Sequence, residues 1–145
     1  MKKMFPNMFY IVAWTGIFLS LFIVIYLLYL NIYPTKIATV ESPAKIVSEE
    51  IYQGGTVEYE LDACIYTGVG ATISKRFVNN VVHLLPEVDT VPEEGCVSDT
   101  VTTVVPEHLP PGKYIIEIVA VHHVNWLRDE TVRWETMPFE VLPKK

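Results

Sequence analysis

The sequence predicts a single N-terminal membrane-spanning α-helix followed by an all-β sandwich of about seven short strands. Three observations carry this reading. Residues 4–35 contain no charged side chain. Beyond Pro34 the hydropathy changes from a continuous apolar run to alternation, most plainly over residues 56–66. Clusters of Gly, Pro and Asn then punctuate the chain at short intervals. With 145 residues, half of them apolar, and a mean hydropathy of +0.29, the chain holds one small domain besides the apolar run. That excludes a multidomain enzyme, a soluble cytoplasmic protein and a multi-pass transporter.

The apolar run comes first. Residues 8–30 would form a helix about 34 Å long, against a hydrocarbon core of about 30 Å. This is longer than the apolar core of a cleavable signal peptide. The following Asn31-Ile32-Tyr33-Pro34 offers no small-residue cleavage site. We therefore expect an uncleaved signal anchor over residues 8–33, with the lipid bilayer as its partner. Aromatics bracket it, with Phe5, Phe9, Tyr10 and Trp14 at one end and Tyr26, Tyr29 and Tyr33 at the other. Lys2 and Lys3 immediately precede the run, which places residues 1–7 in the cytoplasm by the positive-inside bias. The rest of the chain would then be extracytoplasmic, periplasmic or extracellular. Ala13, Gly16 and Ser20 form a small-residue stripe through which two helices could meet in a homo-oligomer.

Residues 34–44, with Pro34 and Pro43, read as a short linker that keeps the domain near the bilayer and so near a partner in the same membrane. The sandwich is expected over residues 45–143. In residues 56–66 Val57, Tyr59, Leu61, Ala63 and Ile65 share one face, with Glu58, Glu60 and Asp62 on the other. Further strands are expected at 45–51, 71–78, 81–85, 97–105, 113–124 and 131–141. In the last of these, Val132 and Trp134 differ in parity from Phe139 and Val141. A β-bulge or a change of sheet near Met137-Pro138 would bring both aromatics inward. Cys64 has the parity of the acids, which puts its sulfur on the solvent face or a sheet edge. It and Cys96 are the two cysteines of the chain, and in an extracytoplasmic domain they are expected to pair.

Leu109-Pro110-Pro111-Gly112-Lys113-Tyr114 leads directly into a long apolar strand. A turn followed by Gly-x-Tyr resembles the tyrosine corner of immunoglobulin-like and fibronectin type III domains. The resemblance covers the strand number and this corner. It implies an immunoglobulin-like sandwich in which the Tyr114 hydroxyl satisfies a backbone group. The pattern departs from antibody domains at Ile116, where their second core cysteine would stand. Folds of this type host many functions.

All 17 acids lie beyond residue 33, against nine of the 11 bases. Such an acidic domain does not suit nucleic acid, whose phosphates need clustered Lys and Arg. No nucleophile turn, phosphate loop or facing carboxylate pair is apparent, so the chain is not read as an enzyme and no cofactor is expected. Glu87, Asp89, Glu93, Glu94 and Asp99 lack the order of a calcium loop. His122 should face inward and His123 outward, because adjacent strand residues point to opposite faces. A metal-handling accessory protein using His122, His123 and His83 for copper or zinc is the alternative to the main reading. That main reading is a non-catalytic binding or assembly module for another membrane or envelope protein. Layouts of anchor plus one sandwich are similar to many bacterial and phage-encoded envelope proteins. Its candidate contact is the segment Asn125, Trp126, Leu127 and Arg128, between the last two strands, where loops carry recognition and Trp and Arg favour interfaces. Trp126 either projects from the domain or closes over the end of its core.

Overall fold

In the computed structural model, which describes residues 4–144, the uncharged start of the chain forms one helix, α1 (Met4–Ile32). Lys2 and Lys3 lie outside the described residues. Residues Met8–Ile32 have a mean hydropathy of 2.5, long and apolar enough to cross a membrane. The described part of the helix is apolar on all sides, and the hydroxyls of Thr15 and Ser20 are bonded to their own helix. Thr15 Oγ1 donates to Ile11 O at 2.7 Å and Ser20 Oγ to Ile17 O at 2.9 Å. Hydroxyls bonded to their own helix can lie in an apolar medium without a stranded donor.

A separate β-rich unit begins at Lys36. Its strands are β1 (Ala38–Val40), β2 (Lys45–Ile46), β3 (Ile51–Tyr52), β4 (Thr56–Ile65), β5 (Ala71–Val78), β6 (Val82–Leu84), β7 (Val88–Thr90), β8 (Gly95–Val104), β9 (Gly112–Asn125), β10 (Arg128–Glu135) and β11 (Phe139–Leu142). They make two sheets. In the smaller one β4 pairs with β8 along its length, and β1 and β2 follow one another on its other edge. In the larger one β9 is central, with β5 on one side and β10 followed by β11 on the other. Strands β6 and β7 border β5, and β3 runs parallel to β11.

The sequence expectations are refined in four places. Residues 38–40, read as linker, pair with β4. The strand expected at 45–51 is two short strands, one in each sheet, because the chain crosses between sheets through residues 47–50. The acidic stretch contains β7. The strand expected at 131–141 is β10 and β11, both on β9. Five residues separate Trp134 from Phe139, whereas four separate their partners Ile118 and Tyr114. The single extra residue is a bulge, and it returns the aromatic parity to the core without a change of sheet. Thr136 locks it: its N–H donates to Ile116 O and its Oγ1 accepts from Ile116 N–H, both at 3.0 Å.

One core lies between the sheets, built on Val57, Tyr59, Phe77, Tyr114, Ile116, Ile118, Trp134 and Phe139. The Phe77 ring meets Tyr114 and Phe139 edge-on, with centroids 6.3 and 6.2 Å away, a favoured aromatic geometry. Lys75 also points between the sheets, where its Nζ donates to Thr103 Oγ1 at 3.2 Å. Thr103 in turn hydrogen-bonds the Tyr59 hydroxyl. Burial pushes the Tyr59 phenol above its ordinary pKa and the Lys75 ammonium below its own.

Candidate functional site

The predicted contact segment is a tight hairpin turn rather than an open loop. Asn125 ends β9 and Arg128 begins β10, leaving Trp126 and Leu127 between them. The Asn125 side-chain Oδ1 accepts from Leu127 N–H at 2.9 Å, an Asx turn that closes the chain locally. No non-glycine residue has a positive φ among the described residues, so the turn is not of the mirror-image type that suits two-residue hairpins. The pairing register shifts instead between Arg128 and Asp129, and this irregularity supplies the extra twist.

Trp126 is 77% exposed. It does not close over the core, and of the two alternatives for this side chain the projecting one is found. Leu127 is exposed beside it. Arg128 differs from the expectation of an open contact residue. Its side chain is 17% exposed and lies along Glu130, with Nη2 to Oε2 at 2.9 Å. The tip therefore presents an indole and an isobutyl group on a turn held by hydrogen bonds.

The histidines fall in two pairs, His122 with His123 on β9 and His83 with His108. His122 faces the core and His123 faces outward, as strand alternation requires. His123 Nδ1 lies 3.0 Å from Asp129 Oδ1, and its Nε2 lies 3.3 Å from Thr72 Oγ1. The His83 ring, on β6, lies tilted beside His108 and edge-on to Tyr114, with centroids 6.2 and 6.3 Å away. Among the described residues no group of three or more His, Cys, Asp and Glu side chains converges to hold a metal ion. Burial holds the His122 imidazole below its ordinary pKa.

Cys64 and Cys96 form a disulfide, and they are direct cross-strand partners in β4 and β8 with Cα atoms 4.0 Å apart. The Tyr114 hydroxyl donates to Pro110 O at 2.8 Å, satisfying a backbone carbonyl four residues upstream. The helical stripe stands open: a Cβ added at Gly16 would meet nothing within 4 Å.

A feature not foreseen is a partly open, apolar pocket of about 120 Å³ in the β-rich unit, with Ala38, Ala63, Ala71, Ala120, His122 and Trp134 among its lining residues. Its signal in the sequence is four alanines at inward positions of four strands, visible only once the strands are aligned.

No protein-family model and no curated protein matches the chain. Among solved structures it is distantly similar to an alkylpurine DNA glycosylase from Pseudomonas fluorescens bound to DNA with an abasic-site analogue, at 8% identity and a TM-score of 0.39, covering 72% of this chain and 30% of that one. It is also similar to a β-glucosidase involved in saponin metabolism from intestinal bacteria, at 13% identity and a TM-score of 0.33, covering 70% and 16%. A Listeria innocua β-glucosidase variant in complex with laminaribiose gives 14% identity and a TM-score of 0.34, covering 72% and 17%. The chain spans less than a third of the length of each of these proteins, and likenesses this remote carry no functional argument.

Proposed function

We propose that the protein is a single-pass membrane protein that displays an immunoglobulin-like domain outside the cytoplasm as a non-catalytic binding or assembly module. The observation that carries the proposal is Trp126, 77% exposed on a turn closed by the hydrogen bond from Leu127 N–H to Asn125 Oδ1. The disulfide supports an oxidising compartment. Lys2 and Lys3 before the apolar helix support a cytoplasmic N-terminus. The two-sheet arrangement and the Tyr114–Pro110 hydrogen bond support the immunoglobulin-like assignment. The partner is another membrane or envelope protein, of the kind found in bacterial or phage-encoded envelopes.

The test is crosslinking on intact cells with the full chain and with Trp126→Ala. We expect a crosslinked partner that the variant loses at unchanged melting temperature. A variant that captures the partner equally well removes the hairpin tip from the proposal. Orientation is read from a membrane-impermeant maleimide. Labelling of Cys64 and Cys96 only after reduction supports the outward domain, whereas labelling only after lysis and without reductant reverses it.

A further inference from the structure

The two sheets end in long edge strands of unequal character. In the larger sheet β10 carries five charged residues in eight (Arg128, Asp129, Glu130, Arg133 and Glu135) and a register irregularity at its start. Its other end is covered by the chain near Ala44, whose N–H donates to Glu135 O at 2.7 Å. Charge, bulges and covering chain are the means by which proteins keep a strand edge from pairing with other chains. In the smaller sheet β8 lacks all three. Its ten residues hold one charged side chain, Asp99, and no Pro, and they pair with β4 over ten consecutive positions without a bulge. Among the described residues β4 is its only strand partner.

The direction of the backbone groups on β8 follows from the far side of β4. Glu58 O and Asp62 O accept from Val47 N–H and Glu41 N–H, both at 2.9 Å. The even-numbered residues of β4 therefore bond away from β8, and the odd-numbered ones bond toward it. The register pairs odd with odd, and Val105 N–H continues the pattern by donating to Gly55 O at 2.9 Å. The N–H and C=O groups of Cys96, Ser98, Thr100, Thr102 and Val104 thus point away from the sheet, and all five residues are exposed. Of these donors Thr100 N–H is taken, by Asp99 Oδ1 at 2.8 Å. The strand is also held at both ends. The disulfide ties Cys96 to Cys64, and Lys75 Nζ donates to Thr103 Oγ1 at 3.2 Å. An edge fixed in this way loses little freedom when another strand is added.

A row of donors and acceptors at strand spacing is complementary to extended backbone, and the flanking side chains select the sequence. On the outer face Ser98, Thr100 and Thr102 stand opposite Asp62, Glu60 and Glu58 of β4, whose carboxylates are exposed. Lys45 lies 3.9 Å from Glu60, and among the described residues Glu58 and Asp62 have no ion pair. An added strand would lie about 10 Å from β4. Only the small Ser98, Thr100 and Thr102 intervene, so a lysine or arginine on it can reach these carboxylates. On the inner face Val97 is exposed and Val101 half-buried, one on each side of Asp99. We propose that the open edge of β8 binds an extended segment of another protein, added as a strand, in which Lys or Arg alternates with apolar residues. A second copy of β8 is the poorer occupant, because it brings an acid and no base. The edge is separate from the hairpin tip, and strand addition holds whether or not Trp126 contacts a partner.

The experiment is amide hydrogen exchange of the full ¹⁵N-labelled chain in nonionic detergent, with a short synthetic peptide of alternating lysine and valine. We expect saturable binding that slows exchange about ten-fold or more at Cys96, Ser98, Thr102 and Val104, whereas Val97, Val101 and Thr103, already bonded to β4, change little. A glutamate–valine peptide should bind about ten-fold more weakly, and the lysine–valine peptide N-methylated throughout should not protect the edge. Thr102→Pro removes an edge donor without touching a bond to β4 and should abolish the protection. Should that variant fail to fold, Glu58→Lys/Asp62→Lys leaves the edge intact and should weaken binding. No slowing at the alternate amides overturns the proposal, as does protection that survives in folded Thr102→Pro or with the N-methylated peptide. Equal affinity for the glutamate peptide, or unchanged affinity in the double lysine variant, overturns the basic occupant. Edge protection that rises with protein concentration in the absence of peptide gives the edge to a second copy and overturns it as well.

Discussion

Removing the Cys64–Cys96 bridge is expected to be the most damaging surface change available in this protein. The two residues are 32 apart in sequence and neighbours in space. Between them the chain leaves the smaller sheet, builds β5, β6 and β7 of the larger one, and returns as β8. Pairing β4 with β8 therefore closes a long loop whichever way the cysteines are treated, and the bond removes that closure entropy from the unfolded chain. On the chain-entropy account a loop of this length corresponds to about 3.7 kcal/mol. For a unit of this size 1 kcal/mol moves the melting temperature by about 4 °C, so the double variant Cys64→Ala/Cys96→Ala should melt about 15 °C lower. Thermal unfolding followed by circular dichroism, with and without reductant, measures it. Wild type in reductant should approach the variant. A loss below about 1 kcal/mol would refute the reasoning, because it would mean that the unfolded chain already holds these segments together.

Tyr114→Phe deletes the hydroxyl that serves Pro110 O and should cost about 1–2 kcal/mol in urea unfolding, with no change of sheet structure. Thr136→Val keeps the volume at the bulge but removes the acceptor for the buried Ile116 N–H. We expect about 1–3 kcal/mol of destabilisation, and a neutral result would show that the bulge does not depend on this bond. His122 titrates below its ordinary value of 6.5 because it is buried, although Glu130 nearby opposes part of the shift. The unfolded chain then binds the proton more readily, so the contribution of the neutral ring is full above pH of about 6.5 and falls as the pH drops toward the lower folded value. His122→Leu should flatten the melting temperature in that window, and an unchanged slope would assign it to other groups. Glu117, held below its ordinary pKa chiefly by the hydrogen bond from Arg76, contributes in the same direction at lower pH.

The elements legible in the sequence are those whose signal lies within one strand or helix. An uncharged apolar run is sufficient for α1, and a period of two over ten or more residues is sufficient for β4 and β9, including the opposite faces of His122 and His123. The Gly-x-Tyr turn foreshadowed the bond from Tyr114, and two cysteines in one domain foreshadowed their pairing. The shorter strands were not legible, because two or three residues carry too little periodicity. Strands β1, β2, β3 and β7 exist only because β4, β11 and β5 offer them hydrogen-bonding edges. The candidate site divides in the same manner. Residues 125–128 stood out by composition, but the folding of Arg128 onto Glu130 and the outward projection of Trp126 depend on a turn whose twist is set by both strands.

What the sequence determined by itself was thus an apolar helix, the faces of the long strands, the pairing of Cys64 with Cys96 and the backbone bond of Tyr114. Tertiary structure alone decided how β4 meets β8, where a single extra residue bends the last strand, and that Ala38, Ala63, Ala71 and Ala120 line one pocket. The reason is physical. Hydrophobic alternation is a local property of a chain, whereas a pocket is a property of several strands at once, and a small side chain carries no sign of what stands opposite it until the sheets are packed.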